Sequence, residues 1–281
     1  MIARAIGAVR NRWFRVVRKY ADEDRILIYQ MGKVGSTSLG RALGDRGIQI
    51  HNFYPSNEPW PRLPTYGLGL ARKLAHAIFY RAIRRGVRKR RTLKVITLVR
   101  DPIARNISMY FQDIHYWLAH YHTERRPNIG RRDDIDVVSD CFREMFDHRY
   151  PLEWFDRELK RVTGVDVYDY TFDRNTGCSR VETGTTSILI IQAERLSENW
   201  SQVEAFCGSK LEWREDNRAA RKWYGPSYDA FLARFSMSAE ELDEVYSSRY
   251  ATFFYSEESL AGFRRRWQRT QTVAPSSQKV D

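Results

Sequence analysis

QMGKVGSTSLGRAL, Gln30 to Leu43, follows the apolar run Ile26-Leu27-Ile28-Tyr29 and leads into a helical pattern. A turn rich in Gly, Ser and Thr between a strand and a helix is a place to hold phosphate. Successive backbone N–H groups point at the anion, and the helix dipole adds to the attraction. The string is not the P-loop of ATPases, GxxxxGK[ST], in which the lysine comes late. Here Lys33 comes early and Gly35-Ser36-Thr37-Ser38 follow it. Gly32 and Gly35, flanking Lys33 and Val34, allow close approach of the backbone to a ligand. Ser36, Thr37 and Ser38 supply hydroxyl donors, and Lys33 supplies a mobile charge at the mouth. An ordinary strand–helix turn can share this composition, so the loop alone does not decide the function.

Outward from this turn, the pattern is that of an α/β chain. Ile26–Tyr29 reads as a first strand, Thr37–Asp45 as a helix ended before Gly47, and Ile48–His51 as a short second strand. Asn52–Pro64 is proline-rich loop, and Tyr66–Arg85 has helical spacing. LKVITLV, Leu93–Val99, is β-branched and apolar on both faces, as a buried parallel strand should be. Asp101 suits an N-cap and Pro102 a first turn, so a helix starts there and runs to about His122. Arg125–Arg132 is a polar break. Ile135–His148 and Leu152–Val162 read as helices, Val165–Tyr168 as a candidate strand, and Ser187–Gln192 (SILIIQ) as another buried strand. A helix follows from about Ser197 to Cys207, and the C-terminal third is mainly helical. Strands alternating with helices imply a mostly parallel central sheet in a three-layer, P-loop-like sandwich with a helical C-terminal part.

A second loop supplies a second candidate anion site. Arg100 ends the clearest strand, at the carboxyl edge where α/β sheets bind ligands. Ser108 lies on the next helix, eight positions on (108 − 100). An arginine fork with a hydroxyl is a clamp for a terminal phosphate. The plainer reading is an arginine that caps strand and helix carbonyls.

Composition bounds the partners. The 281 residues are 42% apolar, ordinary for a globular chain, and 47 Lys and Arg against 35 Asp and Glu give a net charge of +12. That balance favours anionic partners. Arg84-Arg85-Gly86-Val87-Arg88-Lys89-Arg90-Arg91 is the densest basic block. It is either a solvated helix end or a contact for a glycan or a membrane. No apolar run reaches the ~18–20 residues that a membrane span needs. Residues 1–24 read as a basic amphipathic helix, with Ile2, Ile6, Val9, Trp13, Val16 and Val17 on one stripe, packed on the domain or touching an anionic membrane surface. Residues 25–270 read as a single α/β domain and 271–281 as a disordered tail. Cys141, Cys178 and Cys207 are far apart and odd in number, without metal spacing. They fit a reducing, cytoplasmic setting, with peripheral contact at the inner membrane surface through the first helix.

Taken together, the early lysine with G-S-T and the Arg-x7-Ser clamp resemble the sulfotransferase family, whose members use 3′-phosphoadenosine-5′-phosphosulfate (PAPS). In the family pattern the first loop reads like PKSGTT; here Gly32 stands where proline is common, and Lys33, Gly35, Ser36 and Thr37 match. Towards the C-terminus, Lys222-Trp223-Tyr224, Leu242–Tyr250 and Phe254–Glu258 through Trp267 look like a bacterial branch labelled capsular polysaccharide synthesis proteins, with a KWY-type motif. The resemblance spans most of Arg25–Trp267. It implies that Gly32 to Ser38 hold the 5′-phosphosulfate, that Arg100 and Ser108 hold the 3′-phosphate, and that no metal is required.

The resemblance also implies a sulfuryl transfer from PAPS to a hydroxyl, of a glycan or glycolipid. The partners would be an acidic nucleotide donor and that acceptor, with no nucleic acid. Lys33 would offset charge on the transferred group. His51 is the candidate base, because an imidazole pKa suits a hydroxyl proton near neutral pH. The family's histidine sits in a similar place, although its preceding lysine is missing here. The second reading of His51 is a structural or acceptor-binding residue. His115, His120 and His122 are surface or acceptor-side candidates. Glu194 and Arg195 face the cleft or form an ion pair. Trp223 and Tyr224 stack on adenine or fill core, and Lys222 and Arg218 assist the 3′-phosphate. Two other readings stay open: an ATP-dependent P-loop kinase, disfavoured by the missing late GK[ST], and a non-catalytic nucleotide- or polyanion-binding relative.

Overall fold

The computed structural model describes residues 14–54, 70–124, 135–213 and 224–268. Most of the N-terminal stripe, the Arg125–Arg132 break, Lys222-Trp223, Arg218 and the 271–281 tail lie outside them. The elements run α1 (residues 14–21), β1 (Ile26–Tyr29), α2 (Thr37–Leu43), β2 (Gly47–Ile50), α3 (Leu70–Arg88) and β3 (Leu93–Val99). Then come α4 (Pro102–Gln112), α5 (Ile114–Glu124), α6 (Ile135–Met145), α7 (Tyr150–Trp154) and α8 (Lys160–Thr163). The chain finishes with β4 (Cys178–Thr183), β5 (Thr186–Gln192), α9 (Trp200–Cys207), α10 (Gly225–Arg234), α11 (Ala239–Tyr246), α12 (Arg249–Phe254) and α13 (Glu257–Trp267).

The five strands form one sheet in the order β2-β1-β3-β5-β4. All neighbours are parallel except β4, which is antiparallel to β5. β3 and β5 pair along their full length, Leu93 opposite Thr186 to Val99 opposite Gln192. Their continuous apolar runs are buried on both sides, as central parallel strands require.

This order makes a three-layer fold. The chain leaves β1 towards β2 and returns over β1 to β3, so right-handed crossovers put α2 and α3 on opposite faces. Hydrogen bonds agree. Arg46, just after α2, donates to the carbonyl of Cys207 in α9 at 2.7 Å. Arg88 of α3 donates to the Arg161 carbonyl of α8 at 2.8 Å on the other face. The direction of winding reverses between β1 and β3. Their carboxyl ends therefore frame a crevice, the usual ligand position in an open α/β sheet.

Several elements differ from the expectations. Val165–Tyr168 is not a strand; a 3-10 turn at Val167–Asp169, capped by the Asp166 side chain, takes its place. β4 carries only one fully buried side chain, Val181, and so gives no apolar signature. The helix after Pro102 breaks at Asp113 into α4 and α5. Gly86 does not end α3. A side chain there would stand 3.4 Å from the Val17 carbonyl oxygen and the Ala21 nitrogen, so the glycine lets α1 pack closely. Between α7 and α8, Phe155–Leu159 forms a π-helical bulge, a feature common at functional sites. Cys141 and Cys207 are buried and Cys178 half-buried, all as free thiols. Among the described residues, no helix is long and apolar enough to cross a membrane.

Candidate active site

The loop after β1 has an unusual backbone. Gly32, Lys33 and Gly35 have φ of 79°, 61° and 81°. Lys33 is the one non-glycine residue among those described with positive φ, a conformation that costs an L-residue about 1 kcal/mol and clusters at functional sites. Gly35, followed by Ser36 at φ −70° and ψ −4°, gives the change of hand that turns successive amides to one side. A side chain at Gly35 would meet nothing within 4 Å, so the space over this turn is open.

Two arginines hold the loop from beneath by its carbonyls. Arg105, fully buried on α4, donates from Nη2 to Met31 O at 2.6 Å and from Nε to Gly32 O at 3.2 Å. Arg100 donates from Nη1 to Lys33 O at 2.7 Å. Three consecutive carbonyls thus point at guanidinium groups. Burial pushes Arg105 down to about 10, still cationic at neutral pH. Its face lies 4.6 Å from the Tyr150 ring centroid.

Gln30 organises the near side. Its Nε2 donates to Ser36 Oγ at 2.8 Å, and its Oε1 accepts from the Gly32 amide. Gln49 Nε2 donates to Ser36 O at 2.8 Å. That contact needs Gly40, because a side chain there would come within 2.7 Å of Gln49 Nε2.

A cavity of about 310 Å³ opens at the crevice, lined among others by Lys33, Gln49, His51, Tyr80, Gln112 and Tyr150. The structure thus brings Lys33 and His51 together. Lys33 Nζ donates to Gln112 Oε1 at 3.0 Å, at the end of α4. The His51 ring touches the Gly32 position. Its Nδ1 lies 3.2 Å from the Gln30 carbonyl oxygen and 3.0 Å from Gln30 Nε2. Donation from Nδ1 to the carbonyl leaves a lone pair on Nε2, the form that base catalysis from the ring's outer nitrogen needs; acceptance by Nδ1 from the Gln30 amide is the other tautomer. His51 is open to solvent at the cavity, but protein crowds most of its ring. Burial holds its pKa below the ordinary 6.5, and the charges of Arg105 and Lys33 lower it further, against the Gln30 carbonyl contact.

α7 and the π bulge that follows it fix the segment that carries His51. Trp154 Nε1 donates to His51 O at 3.0 Å, and Tyr150 OH donates to Asn52 Oδ1 at 2.8 Å. Glu158, fully buried, accepts from Phe53 N at 2.7 Å, Tyr54 N at 3.2 Å and Tyr29 OH at 2.5 Å. A buried carboxylate needs such partners, and here they fix the exit of β2.

Arg100 and Ser108 are both half-buried. Tyr250 OH bridges the Arg100 backbone, accepting from its N and donating to its O, each at 2.9 Å. Behind it, Asp101 accepts from Ile103 N at 3.1 Å, Tyr246 OH at 2.9 Å and Trp267 Nε1 at 2.9 Å. Burial raises the pKa of Asp101 and of Glu194 despite the nearby Arg100 charge. Glu194 accepts from Asp101 N at 2.8 Å, while Arg195 pairs with Glu198 at 2.9 Å; the two do not pair with each other. His115 is exposed, His120 buried and His122 half-buried, and none of them lines the cavity. Tyr224 is buried 6.1 Å from the Phe111 ring centroid, as core. Among the described residues, no group of three or more His, Cys, Asp or Glu could hold a metal ion.

Sequence reasoning missed Gln30, Arg105, Gln112 and Glu158.

The comparisons with known proteins bear on the C-terminal half most directly. The profile of the family NKWYS, described as "Putative capsular polysaccharide synthesis protein", matches residues 129–256, so the chain is similar to that family over just under half its length. No curated protein sequence matches. Among solved structures, a sulfotransferase from Alicyclobacillus acidocaldarius is similar at 15% identity, covering 85% of this chain and 99% of that one, with a TM-score of 0.35. The matched segment excludes Lys33, His51, Arg100 and Ser108. It includes Trp154 and Tyr250, which bond to the backbone of His51 and Arg100, and Tyr150 and Glu158, which bond to Asn52 and Phe53.

Proposed function

We propose that this protein is a PAPS-dependent sulfotransferase acting on a hydroxyl of a glycan or glycolipid. The observation that carries the reading is the meeting of Lys33 and His51 in one cavity, beside a loop whose Met31, Gly32 and Lys33 carbonyls are turned onto arginines. Turning the carbonyls inward leaves a cationic, amide-rich surface for an anion. In this reading the turn from Gly32 to Ser38 holds the 5′-phosphosulfate, and Arg100 and Ser108 hold the 3′-phosphate.

The reaction breaks the bond between sulfur and the bridging phosphate oxygen and forms one between sulfur and the acceptor oxygen. His51 Nε2 takes the acceptor's proton. Lys33 Nζ offsets negative charge on the bridging oxygen and the sulfuryl group. Most of the acceleration is then positioning and preorganised charge, as in phosphoryl transfer. The similarity to a capsular polysaccharide synthesis family supports a glycan acceptor.

The test is incubation with sulfur-labelled PAPS and a panel of hydroxyl-bearing glycans. Label carried into a glycan by the native chain and not by Lys33→Ala supports the reading. Transfer of phosphate from ATP, with no transfer of label, overturns it.

A further inference from the structure

A second cavity, about 540 Å³, lies beside the first. Its lining is Tyr54, Arg81, Arg84, Arg85, Arg88 and Lys89. Five cations surround one ring, and no carboxylate is among the described residues that line the space. None of the five takes part in an ion pair among the described residues. Like charges at such density repel, and among the described residues no ion pair offsets them.

The cations divide into two sets. Arg84 and Arg161 stack on the Tyr54 ring, at 4.5 and 3.8 Å from its centroid. Arg84 also donates to Phe53 O at 2.5 Å, and Arg88 to Arg161 O at 2.8 Å, so both are built into the floor. Arg81, Arg85 and Lys89 are exposed; the first two lie one turn apart on α3 and Lys89 follows just past its end. They form a rim whose side chains the floor does not use.

The two cavities are lined by neighbouring residues of the same two segments. His51 and Asn52 line the first and Tyr54 the second; Tyr80 lines the first and Arg81 the second. A ligand longer than one sugar unit could occupy both.

We propose that the basic cavity is a subsite for an anionic group of the acceptor. The acceptor class is then a glycan carrying sulfate, phosphate or carboxylate near the hydroxyl that enters the Lys33–His51 cavity. The placing of that hydroxyl rests on the transfer reading above; the anion binding stands by itself. A concave space lined by guanidinium forks suits a charged substituent on a sugar better than a flat headgroup layer. Leu74 and Ile78, exposed at 59% and 50%, extend the stripe of Arg81 and Arg85 along α3, so the test must separate glycan from lipid.

Binding of a fluorescent, sulfated heparin hexasaccharide is measured by anisotropy at physiological salt, with neutral maltohexaose as control. Sedimentation with phosphatidylglycerol vesicles runs in parallel. The native chain is compared with Arg81→Glu/Arg85→Glu/Lys89→Glu, whose folding is checked by its melting temperature. The native chain should bind the sulfated and not the neutral sugar, and the triple variant should bind at least about tenfold more weakly. Equal binding by both proteins overturns the subsite. So does loss of vesicle binding with hexasaccharide binding intact, which would assign the stripe to a lipid surface. Adenosine 3′,5′-bisphosphate binding is measured separately; its absence from the native chain would sink the transfer reading, not the anion subsite.

Discussion

The carbonyl oxygen of Lys33 accepts a hydrogen bond from Arg100 Nη1 at 2.7 Å. The loop after β1 is therefore tied to the end of β3, across 67 positions of chain. Arg100 has two tasks in this account: it meets the 3′-phosphate and it holds the backbone of the proposed catalytic lysine. Arg100→Ala should weaken adenosine 3′,5′-bisphosphate by ~1.5–3 kcal/mol, the scale of a charge-assisted contact. It should also lower turnover at saturating PAPS, because Lys33 loses its brace. Calorimetric titration with the bisphosphate and with ATP checks the first part. Equal weakening of both nucleotides would remove the 3′-phosphate assignment.

Lys33→Ala should lower kcat far more than it weakens the bisphosphate, which lacks the sulfuryl group. Steady-state kinetics and titration read the two quantities separately. Parallel losses would mean that Lys33 only binds.

His51→Ala should abolish transfer and spare nucleotide binding. The imidazole is held below 6.5, so its neutral form fills as pH rises through a value under 6.5. Turnover should climb from the acid side across that range and level off by about pH 7. The sign for stability is the same: the unfolded chain holds the proton more tightly, so this contribution grows with rising pH through the window and is lost below it. A pH–rate profile with its acidic limb well above 6.5, or a fully active His51→Ala, would move the base elsewhere.

Arg105→Met should destabilise the fold by roughly 2–4 kcal/mol, because the Met31 and Gly32 carbonyls lose their buried donors. Urea unfolding measures it. A cost below about 1 kcal/mol would show that these carbonyls find other partners.

Glu158→Leu removes the acceptor shared by Phe53 N, Tyr54 N and Tyr29 OH. It should cost ~2–4 kcal/mol of stability. In the folded fraction it should reduce kcat more than bisphosphate affinity, since it frees the segment carrying His51. Unchanged kcat would separate the π bulge from the chemistry.

The strands that frame the site were legible because each is a continuous apolar run. β1, β3 and β5 needed only Ile26–Tyr29, LKVITLV and SILIIQ. β4 was not, because an antiparallel edge strand buries one face at most, and here only Val181 points fully inward. The break between α4 and α5 was hidden by continuous helical spacing on both sides of Asp113. Lys33 and His51 could be placed at one sheet edge because each follows the end of a parallel strand. Arg105 could not. A buried arginine on a helix reads like a solvated one, and its burial is decided by carbonyls 73 and 74 positions earlier. Glu158 was hidden for the same reason, with its amide partners 104 and 105 positions away.

The most direct measurement is the melting temperature of the full chain with adenosine 3′,5′-bisphosphate and, separately, with ATP and Mg²⁺. A ligand that binds only the folded state adds ~2.7 kcal/mol at 100 times its Kd. The account predicts a clear upward shift with the bisphosphate, lost in Arg100→Ala, and little change with ATP. A shift with ATP and Mg²⁺ alone would contradict it and turn the reading towards a kinase.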